Sequence, residues 1–521
     1  MDEHDDAVVR TVADLVGRAA RRDPDHLALV SDTARVTWGE LDERVDRAAA
    51  ALTGLGLAPG DRVALQLGNT SDFPALYAGA LRAGLVAVPA NTGYTGPELT
   101  HLLADSGARA LVTSSVQAIS AADRLRADAT ALEHVLVAAP SSPEGTLPLP
   151  AVLANATPGR SARRDPGSAE DLAVLVYTSG TSGRPRGAML SHRALLANLD
   201  QCGRIRPTVV TPADVLLLAI PLFHVYGLNP GFGMVAWAGA TGVLVERFDP
   251  AGSLELMARH RVTNVPGVPA MYVEWAGQPG LAGGFASVRL ALSGAAPLPP
   301  AVFRRFAEAG VTVWEGYGLT ETAPVLTSTL IGGTAKPGSV GRAIPGVELR
   351  LRDGAGDDGS GAEVEDDDPG EIAVRGPNLF SGYWPDGAEG PDADGWWPTG
   401  DVAYADDDGD LHLVDRRKEL ILVSGFNVYP AEVEGVLAAH PQVVEAAVIG
   451  RPDPETGDET VLAYVVPTPG GELTEAGLLE WAAGSLARFK LPSSVTFVDE
   501  LPHSATGKVS KARLREAQPS V

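Results

Sequence analysis

Residues 172–192 read LAVLVYTSGTSGRPRGAMLSH, and the reading of the fold starts from them. Leu172 to Tyr177 is apolar and partly β-branched, as a buried strand requires. Ser191 is placed to cap a helix that begins His192-Arg-Ala-Leu-Leu-Ala. Between strand and helix lie Thr178, Ser179, Gly180, Thr181, Ser182 and Gly183, followed by Arg184, Arg186 and Gly187. A glycine-rich turn lets backbone N–H groups converge on one point. Hydroxyl and guanidinium groups beside it suit phosphate oxygens. The stretch predicts a polyphosphate-binding loop joining a strand to a helix. It is not a Walker loop, which needs G-x-x-x-x-G-K-[ST]; here Arg184 and Pro185 follow Gly183.

The chain has 521 residues, too many for one ordinary core, so at least two domains are expected. The formal net charge of −25 repels phosphate backbones and argues against nucleic acid as a partner. A charged metabolite must instead be gripped by local positive groups. The single cysteine, Cys202, excludes an internal disulfide framework and cysteine-based zinc sites. The N-terminal MDEHDDAVVR lacks the basic-then-apolar order of a signal peptide. No apolar run reaches membrane-spanning length. These features predict a cytoplasmic protein with no integral membrane segment. The five lysines are Lys336, Lys418, Lys490, Lys508 and Lys511, so most of the basic residues are arginine.

Outward from the loop, helices alternate with short apolar strands. Helical periodicity covers Val8 to Arg21, Trp38 to Leu55, Phe73 to Gly84 and Glu98 to Ser106. Strands are expected at Arg62 to Leu67, Val86 to Pro89 and Ala110 to Thr113. Past the loop they are expected at Val215 to Ile220, Gly242 to Glu246, Val262 to Val265, Val288 to Leu292 and Val311 to Trp314. The pattern predicts an α/β fold, a large N-terminal domain of parallel sheets. From Gly338 to Asp415 the helical period fades into Gly/Asp turns, as in a small β subdomain. The last hundred or so residues read as a separate small α+β domain, with strands at Glu419 to Val423, Val443 to Ile449, Val461 to Val466 and Ser494 to Val498.

Three stretches at strand ends bear on the loop, where α/β sheets place ligands. Ser293-Gly294-Ala295-Ala296-Pro297 is small enough for a flat ring to approach the backbone. Glu315-Gly316-Tyr317-Gly318-Leu-Thr320-Glu321, after Trp314, offers an aromatic face, a hydroxyl and a hard oxygen ligand for Mg²⁺. Gly395-Trp-Trp-Pro-Thr-Gly-Asp401 with Asp415-Arg416-Arg417-Lys418 offers a carboxylate suited to ribose hydroxyls. His224 lies in Pro-Leu-Phe-His-Val-Tyr-Gly227, and Gly231 and Gly233 leave further space nearby. Near the end, Gly507 and Lys508 form a short basic loop.

In this order the motifs resemble the adenylate-forming superfamily of acyl-CoA synthetases, luciferases and nonribosomal adenylation domains. Fatty acyl-CoA synthetases are the nearest branch. The resemblance spans about Leu172 to Ser510. It implies an N-terminal domain, 1–417, that binds AMP and the acyl group. It also implies a mobile C-terminal domain, 418–521, carrying the catalytic Lys508 and hinged at Lys418. By the same resemblance Thr178 to Gly183 hold phosphate, while Gly294 to Pro297 and Glu315 to Gly318 contact the adenylate. Thr320 reaches the α-phosphate, Asp401 and Arg416 hold the ribose, and Thr181 and Glu321 place Mg²⁺. His224, Gly227, Gly294 and Gly318 line the acyl pocket; His224, Ser424, Gly425 and Phe426 face the thiol tunnel. The family usually has Lys where this chain has Arg186, a planar fork in place of a compact ammonium.

The implied reaction is activation of a carboxylic acid by ATP to an acyl-AMP, then transfer to coenzyme A. Acyl transfer to a carrier protein, an aryl-acid substrate, a homodimeric state and a non-catalytic nucleotide-binding protein stay open as alternatives.

Overall fold

The computed structural model describes residues 9–129, 131–157, 167–178, 185–352, 369–416, 421–423, 426–428, 430–452, 459–470, 473–486, 488–503 and 509–516. Contacts divide the chain into two compact units. One comprises Met1–Gly180, Arg184–Glu348 and Arg375–Trp396; the other comprises Thr181–Gly183, Leu349–Val374 and Trp397–Val521.

The first unit holds two large sheets. A seven-stranded sheet runs in the order Leu147–Pro148, His134–Val137, Ala108–Thr113, Arg62–Gln66, Val86–Pro89, Leu172–Thr178, Arg186–Ser191. A nine-stranded sheet runs Arg342–Ala343, Val325–Ser328, Val313–Gly318, Leu290–Ser293, Asn264–Gly267, Val215–Leu218, Thr241–Leu244, Leu27–Val30, Arg35–Thr37. Both are parallel at their centres; the nine-stranded sheet is antiparallel at both edges, and the seven-stranded sheet only at Arg186–Ser191, its Leu147–Pro148 edge being parallel. The expected α/β class is therefore observed, with antiparallel edge strands added. Beneath the nine-stranded sheet, Tyr272, Trp275, Phe285 and Phe306 pack edge to face at 5.1–5.5 Å. The Tyr272 hydroxyl donates to the carbonyls of Val265 and Leu292 at 3.1 and 3.0 Å. Aromatic burial and a satisfied phenol together fix the strand ends that carry the site.

Three expectations are corrected. The first helix spans Asp14–Arg22 and so starts later than expected; Val9–Ala13 precede it outside the helix, where the Arg10 and Thr11 N–H groups donate to the Asp14 carboxylate. Tyr317 and its neighbours do not follow a strand ending at Trp314. They lie within Val313–Gly318, whose alternating burial places Val313, Glu315 and Tyr317 on one face. The glycine-rich stretch expected to bind phosphate is followed by a second strand before the helix. Arg186–Ser191 pairs antiparallel with Leu172–Thr178, and only then does the helix His192–Gly203 begin. Gly187, Ala188, Leu190 and Ser191 are buried along that strand, and this burial holds it in the sheet. Ser191 caps the helix as expected, accepting the Ala194 N–H.

His192 ties this helix to the start of the chain. Its buried ring accepts the Val12 N–H at Nδ1, 3.2 Å away. Burial lowers its pKa from 6.5 to about 4. The unfolded ring binds a proton near pH 6.5 while the folded ring stays neutral down to about 4. Stability is therefore intact above pH 6.5 and falls as pH drops toward 4, by up to about 3 kcal/mol. In His192→Gln, denaturant titrations between pH 7 and 4 are expected to show this slope removed.

In the second unit, Glu348–Arg352, Gly370–Arg375, Trp396–Ala405 and Leu411–Arg416 form a four-stranded sheet. Val443–Pro452, Glu459–Pro467 and Ser494–Phe497 form a three-stranded sheet that packs with helices Pro430–Ala438 and Glu475–Ala483 around Val433, Leu437, Val448, Val465 and Leu478. Among the described residues, no helix is long and apolar enough to cross a membrane.

Candidate active site

In the first unit the site is built where the two phosphate-loop arms meet. Thr178 and Arg186 pair directly across the hairpin, and Tyr177 pairs with Gly187. The arms are fastened from outside: Tyr177 donates to Asp105 Oδ2 at 2.6 Å, and His101 Nε2 lies 3.2 Å from the Pro185 carbonyl. Ser179, Gly180, Thr181, Ser182 and Gly183, the span expected to contact phosphate, lie outside the described residues.

A segment that the sequence reading did not single out runs along the second arm. Ser381 N–H donates to Met189, Met189 N–H to Gly382 and Trp384 N–H to Gly187, at 2.8–3.1 Å. The segment delivers two side chains to Arg186. The Tyr383 ring lies 3.8 Å from the guanidinium carbon, and Glu389 Oε2 lies 2.9 Å from Nη1. The Tyr383 hydroxyl donates to Glu321 Oε1 at 2.6 Å. Burial and then the charge of Glu321 push the Tyr383 phenol well above its usual range. Arg186 and Glu321, singled out separately in the sequence, are thus joined through one tyrosine.

Buried amides fix the turn Thr320–Thr322 that carries Glu321. Asn378 donates to the Thr322 carbonyl and Asn229 to that of Ala323, each at 2.8 Å. Asn198 grips both backbone groups of Val325. Phe380 N–H donates to the Glu321 carbonyl at 2.9 Å. Glu321 itself is 7% exposed. Among the described residues no second hydrogen bond reaches its carboxylate, so an oxygen is left for a cation. This fits Mg²⁺, which takes one or two carboxylates and completes its shell with phosphates and water.

Gly294–Pro297 and Glu315–Tyr317 come together at the ends of neighbouring parallel strands, with Ser293 opposite Glu315. Ala295 sits at φ 74°, a strained conformation for a residue with a Cβ. Glu389, at φ 55°, shares that strain beside Arg186. Glu315 Oε2 accepts the Leu298 N–H at 3.1 Å, while its Oε1 is buried without a partner. Burial pushes this carboxyl up to about 7. Tyr317 is buried.

Tyr226, which the sequence reading passed over, packs against the Gly294 backbone, where an added Cβ would lie 3.4 Å from its ring. His224 Nδ1 accepts the Tyr226 N–H at 3.2 Å. Gly227 and Gly318 are closely packed by backbone: a Cβ would lie 2.3 Å from the Pro221 carbonyl oxygen or 1.8 Å from that of Pro324. Gly227 through Gly233 form a π-helical turn.

In the second unit Asp401 and Arg416 are directly paired across an antiparallel ladder. Asp401 is buried, and its N–H donates to Thr399 Oγ1 at 3.1 Å. Phe426 lies in a short strand whose partner is Ile421–Val423. Lys418, Ser424, Gly425 and Lys508 lie outside the described residues.

The chain belongs to the AMP-binding enzyme family, which it matches over residues 16–384, with that family's C-terminal domain over 432–508. It is 37% identical over 507 residues to a feruloyl-CoA synthase of Amycolatopsis sp., covering 96% of this chain and 97% of the relative. It is 35% identical over 538 residues to a long-chain-fatty-acid–CoA ligase of Escherichia coli O157:H7, covering 97% and 94%. The ATP-bound crystal structure of MatB from Rhodopseudomonas palustris superposes with a TM-score of 0.87 at 37% identity, covering 97% of this chain and 98% of that one.

Proposed function

We propose that this protein is an AMP-forming acid–CoA ligase that activates a fatty acid. The observation that carries the reading is the single cluster formed by Arg186, Tyr383 and Glu321 at the mouth of the phosphate-loop hairpin. A carboxylate is a poor acyl donor because its leaving group would be oxide. In the first step its oxygen bonds to the α-phosphorus of ATP, the bond to the β-phosphate bridge breaks and pyrophosphate leaves. Negative charge grows on the phosphate oxygens, so positioned countercharge lowers the barrier. Arg186 supplies it from the hairpin, and Lys508 is proposed to supply it from the C-terminal segment. Glu321 with Thr181 would hold Mg²⁺, which neutralises phosphate charge when bound. Thr320 would donate to the α-phosphate, Asp401 and Arg416 would hold the ribose, and Gly294–Pro297 with Tyr317 would enclose the adenine.

In the second step the coenzyme A sulfur bonds to the acyl carbon, the carbon–oxygen bond to AMP breaks and the thiol proton is released. We place the domain boundary at 417/418, with Lys418 as the hinge that exchanges Lys508 for the thiol tunnel of His224, Ser424, Gly425 and Phe426. His224, Gly227, Gly294 and Gly318 would face the acyl group.

The E. coli fatty-acid ligase supports the fatty-acid reading. The feruloyl-CoA synthase favours a second reading, an aryl acid. Mass spectrometry of thioesters formed from short, medium, long and aryl acids with ATP and coenzyme A separates them. Best turnover with an alkyl acid is expected; best turnover with an aryl acid establishes the second reading. In the same assay Lys418→Pro should keep acyl-AMP formation and lose thioester, and unchanged thioester formation overturns the hinge.

A further inference from the structure

Residues 380–389 connect the phosphate-loop arm to the carboxylate proposed to hold Mg²⁺, and no motif singled out in the sequence includes them. The segment is bonded to the arm through Gly187 and Met189, and to the Glu321 turn through the Phe380 N–H. At its centre one side chain contacts both charges. The Tyr383 ring faces the Arg186 guanidinium at 3.8 Å, and its hydroxyl holds one Glu321 oxygen at 2.6 Å.

The two contacts have different chemistry. A ring face confines a planar cation in orientation without drawing its charge away. A phenol donating to a carboxylate fixes which oxygen faces a metal and keeps that carboxylate from rotating. Glu389 bonds the guanidinium at Nη1, so both a ring face and a carboxylate hold it. The strained backbone of Glu389 is kept in place by this pairing and by the turn around it. An ammonium at position 186 could not lie flat on the ring, so the arginine and the tyrosine form a matched pair.

We propose that Tyr383 is a positioning residue that sets the orientation of Glu321 toward Mg²⁺ and of Arg186 toward the polyphosphate at the same time. The proposal rests on the ATP-dependent reading above. Its ring and its hydroxyl serve separate partners, so the two roles separate by substitution. Tyr383→Phe keeps the ring and removes the donor. Tyr383→Leu removes both.

The test is calorimetric binding of ATP across a Mg²⁺ series, without acid or coenzyme A, so that nothing turns over. Tyr383→Phe is expected to raise half-saturating Mg²⁺ roughly 10-fold while ATP affinity at saturating Mg²⁺ stays within about 2-fold. Tyr383→Leu is expected to weaken ATP binding at saturating Mg²⁺ by a further factor of about 10 as well. A purely structural role would lower melting temperature and the fraction of binding-competent protein but leave half-saturating Mg²⁺ unchanged. Wild-type half-saturation in Tyr383→Phe overturns the proposal even if the leucine variant does not fold. A wild-type protein that shows no Mg²⁺-dependent ATP binding overturns the ATP reading, and this proposal with it.

Discussion

Glu321→Gln lowers acid-dependent exchange of labelled pyrophosphate into ATP by roughly 10²–10³-fold. The substitution keeps the shape of the side chain and an oxygen to accept the Tyr383 hydroxyl, so packing is preserved. What it removes is the charge that faces the proposed Mg²⁺. The backbone around the residue is held independently, by Phe380 on its own carbonyl, Asn378 on Thr322 and Asn229 on Ala323. The loss is therefore expected in rate and not in folding. A variant with wild-type exchange removes Glu321 from the reacting centre, and a variant that melts far below the wild type assigns it a structural role instead.

Glu315→Gln changes how stability depends on pH. Burial raises the Glu315 pKa from 4.5 to about 7, so the folded protein favours the neutral acid. That contribution is complete below pH 4.5 and is lost as pH rises through 7. Glutamine is neutral throughout. Relative to wild type, Glu315→Gln should gain up to about 3 kcal/mol between pH 4.5 and 8. Parallel denaturant titrations of the two proteins across that interval measure the gain. A constant difference would mean that Glu315 stays ionised in the fold.

Local patterns made much of the first unit legible. Val86–Pro89 ends where the pattern placed it, and Ser191 caps the helix at His192 because its side chain finds the Ala194 N–H. Caps and strand periods depend on residues a few positions apart. What was not legible depends on distant partners. The strands Leu27–Val30 and Arg35–Thr37 are short, and they exist because the first pairs with Gly242 and Val243. Val12, just before the first helix, is held by its N–H to His192, 180 residues away.

The site divides in the same way. Arg186, Glu321, Glu315 and Asp401 were marked by their motifs. Tyr383 and Glu389 were not, since Tyr383 meets Glu321 across 62 residues and Glu389 meets Arg186 across 203. The one local signal was Gly382-Tyr-Trp-Pro, a glycine before two aromatic residues, which reads as an ordinary turn. The glycines after His224 suggested space, whereas Gly227 sits directly against the Pro221 carbonyl. Absence of a side chain shows that something approaches closely, and it does not distinguish a ligand from the backbone.

The chain is proposed to join a carboxylic acid to AMP using Lys508. Acid-dependent exchange of labelled pyrophosphate into ATP, measured in the wild type and in Lys508→Ala across alkyl and aryl acids, tests it most directly. Exchange is expected to require an acid and to fall by roughly 10²–10³-fold in Lys508→Ala. Exchange that persists without Lys508, or a wild type that binds ATP yet exchanges with none of the acids, contradicts it.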